Sequence, residues 1–424
     1  MNKGHDYDVL IAGGGLVGAS LACALGHQPI RIGMIDAFPF GSTAQSSYDD
    51  RSVALAYGAR RIFEGVGLWP ALAAVATPIK KIHISDRGHF GVTRLDASPA
   101  GHEALGYVIE NRHLGEVFSA TIPTLANVDL ICPAQLLGIT ITATDVQARI
   151  RQGETLRTVT ARLIVGADGG QSIVRKFAGI GSTSWDYGQS AVIANITPGV
   201  PHHHIAYERF TSNGPLALLP MSDNRCSLVW TLRTEQVSAV LELDDKAFLS
   251  RLQHCFGYRL GRFSKAGRRH AYALTLVCAR EHVRSRVALI GNAAHTLHPV
   301  AGQGFNLGLR DVAVLAEILA RAVARGADPG DVSVLRKYQD WRHRDQLSVT
   351  AFTDGVARIF STAFAPLVMA RDFGLGAMDI VPPLKRGLLR RTMGLAGTLP
   401  RLSRGMALAG GHLITNANRF TDND

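Results

Sequence analysis

A chain of 424 residues, 46% hydrophobic and 19% charged, has the length of one large two-part domain or two intimate domains and the composition of a folded protein with a sizeable core. Lys and Arg outnumber Asp and Glu by 45 to 34, and the net charge of +11 suits phosphate-bearing ligands or an anionic membrane surface; without a zinc finger, an RRM or a long basic tract, nucleic acid is not an expected partner. The cysteines, Cys23, Cys132, Cys226, Cys255 and Cys278, are odd in number, widely spread and form no C-x-x-C, which argues against a disulfide framework or a zinc site and fits a reducing compartment.

The opening residues, "MNKGHDYDVLIAGGG", lack the basic and apolar regions of a secretory signal. No segment has the roughly 20 apolar residues of a spanning helix. The first predicted element is a buried strand at Val9 to Ala12 in "YDVLIAGGGLVGASLACALG". It runs into G-x-G-x-x-G at Gly13, Gly15 and Gly18, and a helix continues through Ala24. Gly13 permits a tight turn, Gly15 removes a side chain where a pyrophosphate approaches the backbone, and Gly18 lets the helix pack closely on the strand. The phosphate belongs at the helix N-terminus, where unpaired N–H groups and the dipole favour an anion. A second strand, "IRIGMID", ends at Asp36, placed to accept hydrogen bonds from ribose hydroxyls. Strand, glycines, helix, strand and acid in this order mark a dinucleotide site. Asp36 disfavours the 2′-phosphate of NADP and leaves NAD and FAD open.

Further along, "SVALAYGARRIFEGVGLW" is an apolar-periodic helix ended by Gly67, and "KKIHISDRGHFGVTRL" has strand-like alternation. "ARLIVGADGGQSIVRKFAGI" is an apolar strand ending in the turn Gly166-Ala167-Asp168-Gly169, with Ser172 and Arg175 following. "SAVIANI", "AYERF", "PLALLPM" and "CSLVWTL" are short strands. In "PHHHIAYERF" three adjacent histidines alternate between the faces of an extended chain, so they do not converge on a metal. "RVALIG" is a third strand with a glycine-rich end, "GNAAHTLHPVAGQGFNLGLRDV", leading into a long apolar-periodic helix. From Pro329 onward the pattern is helical. No acidic residue lies between Asp379 and Asp422, while Lys385, Arg386, Arg390, Arg391, Arg401, Arg404 and Arg419 accumulate among Leu, Met and Ala. That stretch reads as a surface for anionic lipid or as a basic face packed on the protein's own core.

Three strand ends with glycine and polar termini point to one extended ligand. "GGGLVG…D", "GADGGQSIVR" and "GNAAHTLHPVAGQGFNLGLRDV" resemble the three signatures of the class A flavin-dependent aromatic hydroxylases, and together they span Gly13 to Val312. "DDRSVALAYGARRIFEGVGLW", "HISDRGHFG" and "ERFTSNGPLALLPMSDNRCSLVW" narrow the resemblance to the hydroxylases of ubiquinone biosynthesis, the 2-octaprenyl-6-methoxyphenol hydroxylases above all. The implied fold is α/β: a Rossmann-like FAD-binding domain of the p-hydroxybenzoate hydroxylase type, an inserted mixed β-sheet substrate domain and a C-terminal helical segment. The expected divisions are residues 1–78, 105–180 and 276–330 for the FAD-binding domain, 79–104 and 181–275 for the substrate sheet, and 331–424 for a helical region with a candidate membrane contact.

The resemblance implies that Gly13, Gly15 and Gly18 bind the FAD pyrophosphate and Asp36 its ribose. Arg51 and Arg112 reach the cofactor, and Asp168 serves FAD and NAD(P)H. Asn292 stands where the family usually has Asp, so FAD binding is expected to persist with less charge near the ribityl chain. Pro299, Gly302, Gly304 and Asn306 back the isoalloxazine ring. The helix beginning near Phe305 aims N–H groups at the ring edge where reduced flavin gathers negative charge. Reduction by NAD(P)H, reaction with O2 and oxygen transfer through a C4a-hydroperoxyflavin convert 2-polyprenyl-6-methoxyphenol to the 1,4-benzoquinol, so no metal and no Ser-His-Asp set is required. His298 either assists phenol deprotonation or caps its loop; Tyr207 and Arg209 are substrate-sheet candidates or ordinary strand residues. A cytoplasmic protein peripheral on the inner face of the membrane is expected, with a membrane-resident polyprenylphenol and other ubiquinone-biosynthesis proteins as partners. Hydroxylation of another ring carbon or another aromatic, and a non-catalytic flavoprotein subunit, stay open. A disulfide reductase would need a redox cysteine pair and a second G-x-G-x-x-G, both absent.

Overall fold

The computed structural model describes residues 4–42, 51–296, 303–361 and 365–410. Strand β1 (Tyr7–Ala12) carries Val9, Leu10, Ile11 and Ala12, none more than 3% exposed, because helices cover one face of its sheet and further strands the other. Helix α1 (Leu16–Leu25) returns the chain to strand β2 (Ile32–Ile35), which pairs with β1 in parallel, Val9 opposite Ile32. The order across this sheet is Val283–Arg284, Val287–Leu289, Thr155–Gly166, β1, β2 and Val128–Ile131. Strands Val146–Gln152 and Gln135–Ile141 extend it as an antiparallel flap on Thr155–Gly166. The helix Gln303–Ala324 packs beside α1, with sixteen of its 22 residues buried, and is the central helix of the main core.

A second sheet of nine strands is mixed. Its order is His295–Thr296, His270–Ala279, Ser182–Thr197, Arg225–Arg233, Gly214–Met221, Ile205–Thr211, Lys81–Asp86 and Val92–Asp96, with Lys265–Ala266 added on Ser182–Thr197. Ile205–Thr211 and Lys81–Asp86 run parallel; their other neighbours are antiparallel. Alternating residues divide its two faces. Val192, Leu216, Leu228 and Trp230 pack under the helices Thr234–Leu241 and Asp245–Phe256, the second capped by Asp244, which accepts the Ala247 N–H at 2.7 Å. Ala206 and Met221 on the opposite face meet Ile79 and Val108 of a three-stranded sheet, Ser52–Ala56, Gly106–Glu110 and Thr77–Ile79. Through His295–Thr296, which follows Val287–Leu289 closely in the chain and pairs with His270–Ala279, the mixed sheet meets the edge where the first sheet ends, and the α/β fold class implied by the resemblance is the one observed.

The C-terminal segment is packed, not free. Helix Val332–Ser361 lies on Gln303–Ala324, and Ala365–Ile380 runs along Val92–Asp96. After helix Pro382–Thr392, Met393 enters a core with Leu95 and Leu105, and the Arg401 N–H reaches Glu317 Oε2 at 2.7 Å. Among the described residues no helix is long and apolar enough to cross a membrane.

Candidate active site

The strands that carry the three motifs are parallel neighbours, so their turns emerge at one edge. Backbone bonds stitch the turns together. The Gly13 N–H donates to Ile35 O at 2.8 Å, Ala167 N–H to Ala12 O at 2.8 Å, and Ile290 N–H to Gly166 O at 3.0 Å. Gly13 takes a φ of +104°, and a Cβ there would sit 2.6 Å from Ala167 O, so neither the conformation nor the space admits a side chain. A Cβ on Gly18 would fall 1.9 Å from Gly13 O, which is why helix and turn can lie in contact.

Two carboxylates occupy this edge. Asp36, after β2, accepts the Gly14 N–H at 2.7 Å through Oδ2 and the Phe38 N–H at 2.8 Å through Oδ1, which aims it at the glycine turn. Asp168 accepts the N–H groups of Ile173 and Val174 at 2.6 and 3.0 Å through Oδ2, while its Oδ1 is buried with no hydrogen-bond partner among the described residues. Arg175 is buried and donates to Gly170 O and Ala293 O, both at 2.8 Å, stapling the second turn to the third.

These features fit a dinucleotide. Helix α1 starts at Gly15 with no side-chain cap and no acidic residue in its first turn, leaving N–H groups for phosphate. A Cβ on Gly304, in the first turn of Gln303–Ala324, would meet no atom within 4 Å, so a flat ring has room beside it. The FAD binding domain family matches residues 6–353. The chain is 41% identical over 409 residues to the ubiquinone hydroxylase UbiL of Rhodospirillum rubrum, covering 95% of this chain and 93% of that one. It is 32% identical over 392 residues to the 3-demethoxyubiquinol 3-hydroxylase of Escherichia coli, covering 92% and 98%. The chain belongs to this family of FAD-dependent hydroxylases. The fold is also that of the p-nitrophenol 4-monooxygenase PnpA of Pseudomonas putida, with a TM-score of 0.77 at 18% identity over 92% of this chain and 98% of that one.

As a family member the chain is an FAD-dependent monooxygenase that takes reducing equivalents from NAD(P)H and oxygen from O2. Gly13, Gly15, Gly18, Asp36 and Asp168 stand together at the strand edge. Arg51 lies with its guanidinium 4.9 Å over the Tyr272 ring, and its carbonyl accepts the Asn111 N–H at 2.7 Å, which brings it to the same corner as Arg112. Arg112 Nε donates to Glu110 Oε2 at 3.1 Å. Asn292 is exposed beside the third turn. Asn306 is turned to the protein: its Oδ1 accepts the Ala56 N–H and its Nδ2 donates to Ala54 O, both at 2.7 Å, so it holds the strand after Arg51 against the central helix. Tyr207 packs against His83 and Phe256, on the face of the mixed sheet covered by helices, and Arg209, two residues on, shares that face. The structure therefore does not bring this pair to the strand edge. His298, Pro299 and Gly302 lie outside the described residues.

One group escaped the sequence reading. Asp311, fully buried in the central helix, accepts the Gly291 N–H at 3.0 Å, His295 Nε2 at 2.7 Å, Arg342 Nε at 2.7 Å and Gln346 Nε2 at 3.0 Å. Burial alone would raise its carboxyl pKa; His295 and Arg342 hold it well below the usual carboxylate range. Asp311 thereby fixes residues 291–295, the third turn, to helix Val332–Ser361. The available signal was a lone "RD" inside an apolar helix, where an unpaired charge is not tolerated.

Proposed function

We propose that this FAD-dependent monooxygenase hydroxylates a polyprenylated phenol in ubiquinone biosynthesis, converting a 2-polyprenyl-6-methoxyphenol to the 1,4-benzoquinol. The observation that carries the reading is the meeting of the three turns at one strand edge, with the carboxylates of Asp36 and Asp168 held there. Identity of 41% along 95% of the chain to a ubiquinone hydroxylase supports the substrate class. FAD, when bound and reduced, supplies the activation of O2 and the oxygen transfer.

The chain's own residues do the rest. Gly13, Gly15 and Gly18 let the backbone close on the pyrophosphate, and Asp36 accepts from ribose hydroxyls. The start of Gln303–Ala324 presents N–H groups where negative charge builds on the ring. Ala206 and Leu219 pack the inner face of the mixed sheet against Ile79 and Val108, and Phe210 and Ile84 pack it against Leu375, so that side of the fold is sealed from water. The prenyl tail makes the substrate membrane-resident, and a protein peripheral on the inner face of the membrane, in contact with other proteins of the pathway, would receive it. The absence of a crossing helix among the described residues is compatible with that placement.

A second reading, hydroxylation at another ring carbon, is favoured by similarity to a relative named as a 3-hydroxylase. Incubating the FAD-loaded protein with NADH, O2 and 6-methoxy-2-prenylphenol, then locating the new hydroxyl by mass spectrometry and NMR, decides between them. A para hydroxyl supports the first reading, one at another carbon the second, and an unchanged phenol refutes both.

A further inference from the structure

The segment "HISDRGHFG" is absorbed neither by the cofactor site nor by the core. Asp86 to Gly91 forms the hairpin tip between strands Lys81–Asp86 and Val92–Asp96, at the edge of the mixed sheet. This tip is bolted to helix Ala365–Ile380. Asp86 Oδ2 accepts Arg371 Nε at 2.7 Å and Nη2 at 2.6 Å in a buried pair. His89 Nδ1 lies 3.5 Å from Asp372 Oδ2. Gly91 makes room for Asp372: a Cβ there would be 2.5 Å from Asp372 Oδ1. One turn further, Thr93 Oγ1 donates to Leu375 O at 2.7 Å, and another turn on, the Arg94 N–H donates to Asp379 Oδ1 at 3.0 Å. The helix is therefore held along its length by its polar side, and what it leaves outward is apolar.

Met369 and Phe373 are one turn apart on that outer side, 58% and 62% exposed, and Ile380, a further two turns on, is 81% exposed. Phe90, 69% exposed at the hairpin tip, meets Phe373 edge to face with ring centroids 5.6 Å apart. Val381 and Leu384 continue the patch into helix Pro382–Thr392. These six are among sixteen exposed large hydrophobics of the described residues, so they are a concentration and not scatter. Helix Pro382–Thr392 exposes Arg386, Arg390 and Arg391 beside them, in a stretch with no acid between Asp379 and Asp422. Just inside the patch, Leu375 packs with Phe210 and Ile84, so apolar contact continues from the helix to the inner face of the mixed sheet.

We infer that the hairpin tip and helix Ala365–Ile380 together form a rigid wedge that docks on an anionic lipid bilayer, Phe90 and Phe373 entering the acyl boundary and the arginines of Pro382–Thr392 meeting lipid phosphates. The charge complementarity selects a lipid surface: apolar side chains flanked by cations, with Asp372 and Asp379 of the same helix paired to His89, Arg94 and Lys385, are what a negatively charged headgroup layer accepts. The inference rests on the reading of a prenylated substrate, and it adds the place where that substrate leaves the membrane, beside Leu375 and Phe210. The wedge also accounts for the motif: Asp86 and His89 fasten it, Gly91 gives clearance, and Phe90 is the exposed point.

The test is co-sedimentation of the full-length, FAD-loaded protein with phosphatidylcholine vesicles, with and without phosphatidylglycerol. A water-soluble, tail-less methoxyphenol serves as activity control. Phe90→Ser/Phe373→Ser is expected to weaken vesicle binding about a hundredfold. Arg386→Gln/Arg390→Gln is expected to weaken binding about tenfold, and only to vesicles containing phosphatidylglycerol. Both variants keep turnover of the soluble phenol. Should the double Phe variant fold poorly, Met369→Gln/Ile380→Gln gives the same reading. Binding by the Phe variants equal to that of the unaltered protein overturns the inference. So does a loss of self-association in light scattering with vesicle binding unchanged, which would make the face a contact between copies. Unaltered protein that binds vesicles but hydroxylates no phenol defeats the substrate reading and leaves the docking surface standing.

Discussion

Gly18 has no space for even a methyl group, since its Cβ would fall 1.9 Å from the backbone oxygen of Gly13. Gly18→Ala must push α1 away from the turn that closes on the pyrophosphate, and FAD affinity is expected to fall at least about a hundredfold, about 2.7 kcal/mol, by flavin fluorescence titration. Asp311→Ala takes from the buried Arg342 one of its two carboxylates, leaving it Asp345. The expected cost is about 3–5 kcal/mol in denaturant unfolding, and a loss under about 1 kcal/mol would show that the network is not what fixes residues 291–295. His282 lies against the same network, its ring 6.2 Å from that of His295, and burial pushes its imidazole down from 6.5 to about 4. The unfolded chain therefore binds a proton that the native state excludes. Stability is complete above about pH 6.5 and declines as pH drops toward 4, by about 2 kcal/mol at pH 5. His282→Gln should flatten that decline in urea midpoints measured across the range. At this scale the glycines were legible, because a turn with no space for a Cβ is recorded as missing side chains. Asp311 was not, because its partners Gly291, His295, Arg342 and Gln346 are up to 35 positions away in the chain. Strand parity put Tyr207 and Arg209 on one face without saying which face the helices would cover.

The elements followed from periodicity more readily than their neighbours did. Val9–Ala12, Leu163–Val165 and Val287–Leu289 are continuous apolar runs, as strand segments covered on both faces must be, and Gln303–Ala324 has the repeat of a buried helix. The amphipathic character of the C-terminal helices was equally visible. Their berth was not: Asp86 and Arg371 are separated by 285 positions, and only the folded chain joins them. Breaking that pair should loosen one element and spare the rest. Arg371→Met leaves the Asp86 carboxylate buried without its cation, and burial already pushes that carboxyl up against the pull of Arg371. Amide hydrogen exchange in Ala365–Ile380 is expected to quicken at least about tenfold, while β1 and Gln303–Ala324 keep their protection. Uniform quickening across all three would mean that the helix is an integral part of the core and not a fastened strap.

Over the whole molecule, two sheets divide the work. The first gathers three turns at one edge because its strands are parallel neighbours, and the second meets that edge through His295–Thr296 and packs an apolar face on the three-stranded sheet. Buried ion pairs tie the C-terminal helices to both halves: Arg342 with Asp311 joins Val332–Ser361 to the central helix, and Arg371 with Asp86 joins Ala365–Ile380 to the mixed sheet. The division leaves binding and water exclusion to the protein and oxygen chemistry to FAD. That claim is tested most directly by turnover under ¹⁸O2, with NADH and 6-methoxy-2-prenylphenol, following the mass of the phenol and the NADH consumed. The account predicts one ¹⁸O atom in each product ring and one NADH oxidised per product. NADH oxidation that yields only hydrogen peroxide, or a product whose new oxygen comes from water, would contradict it.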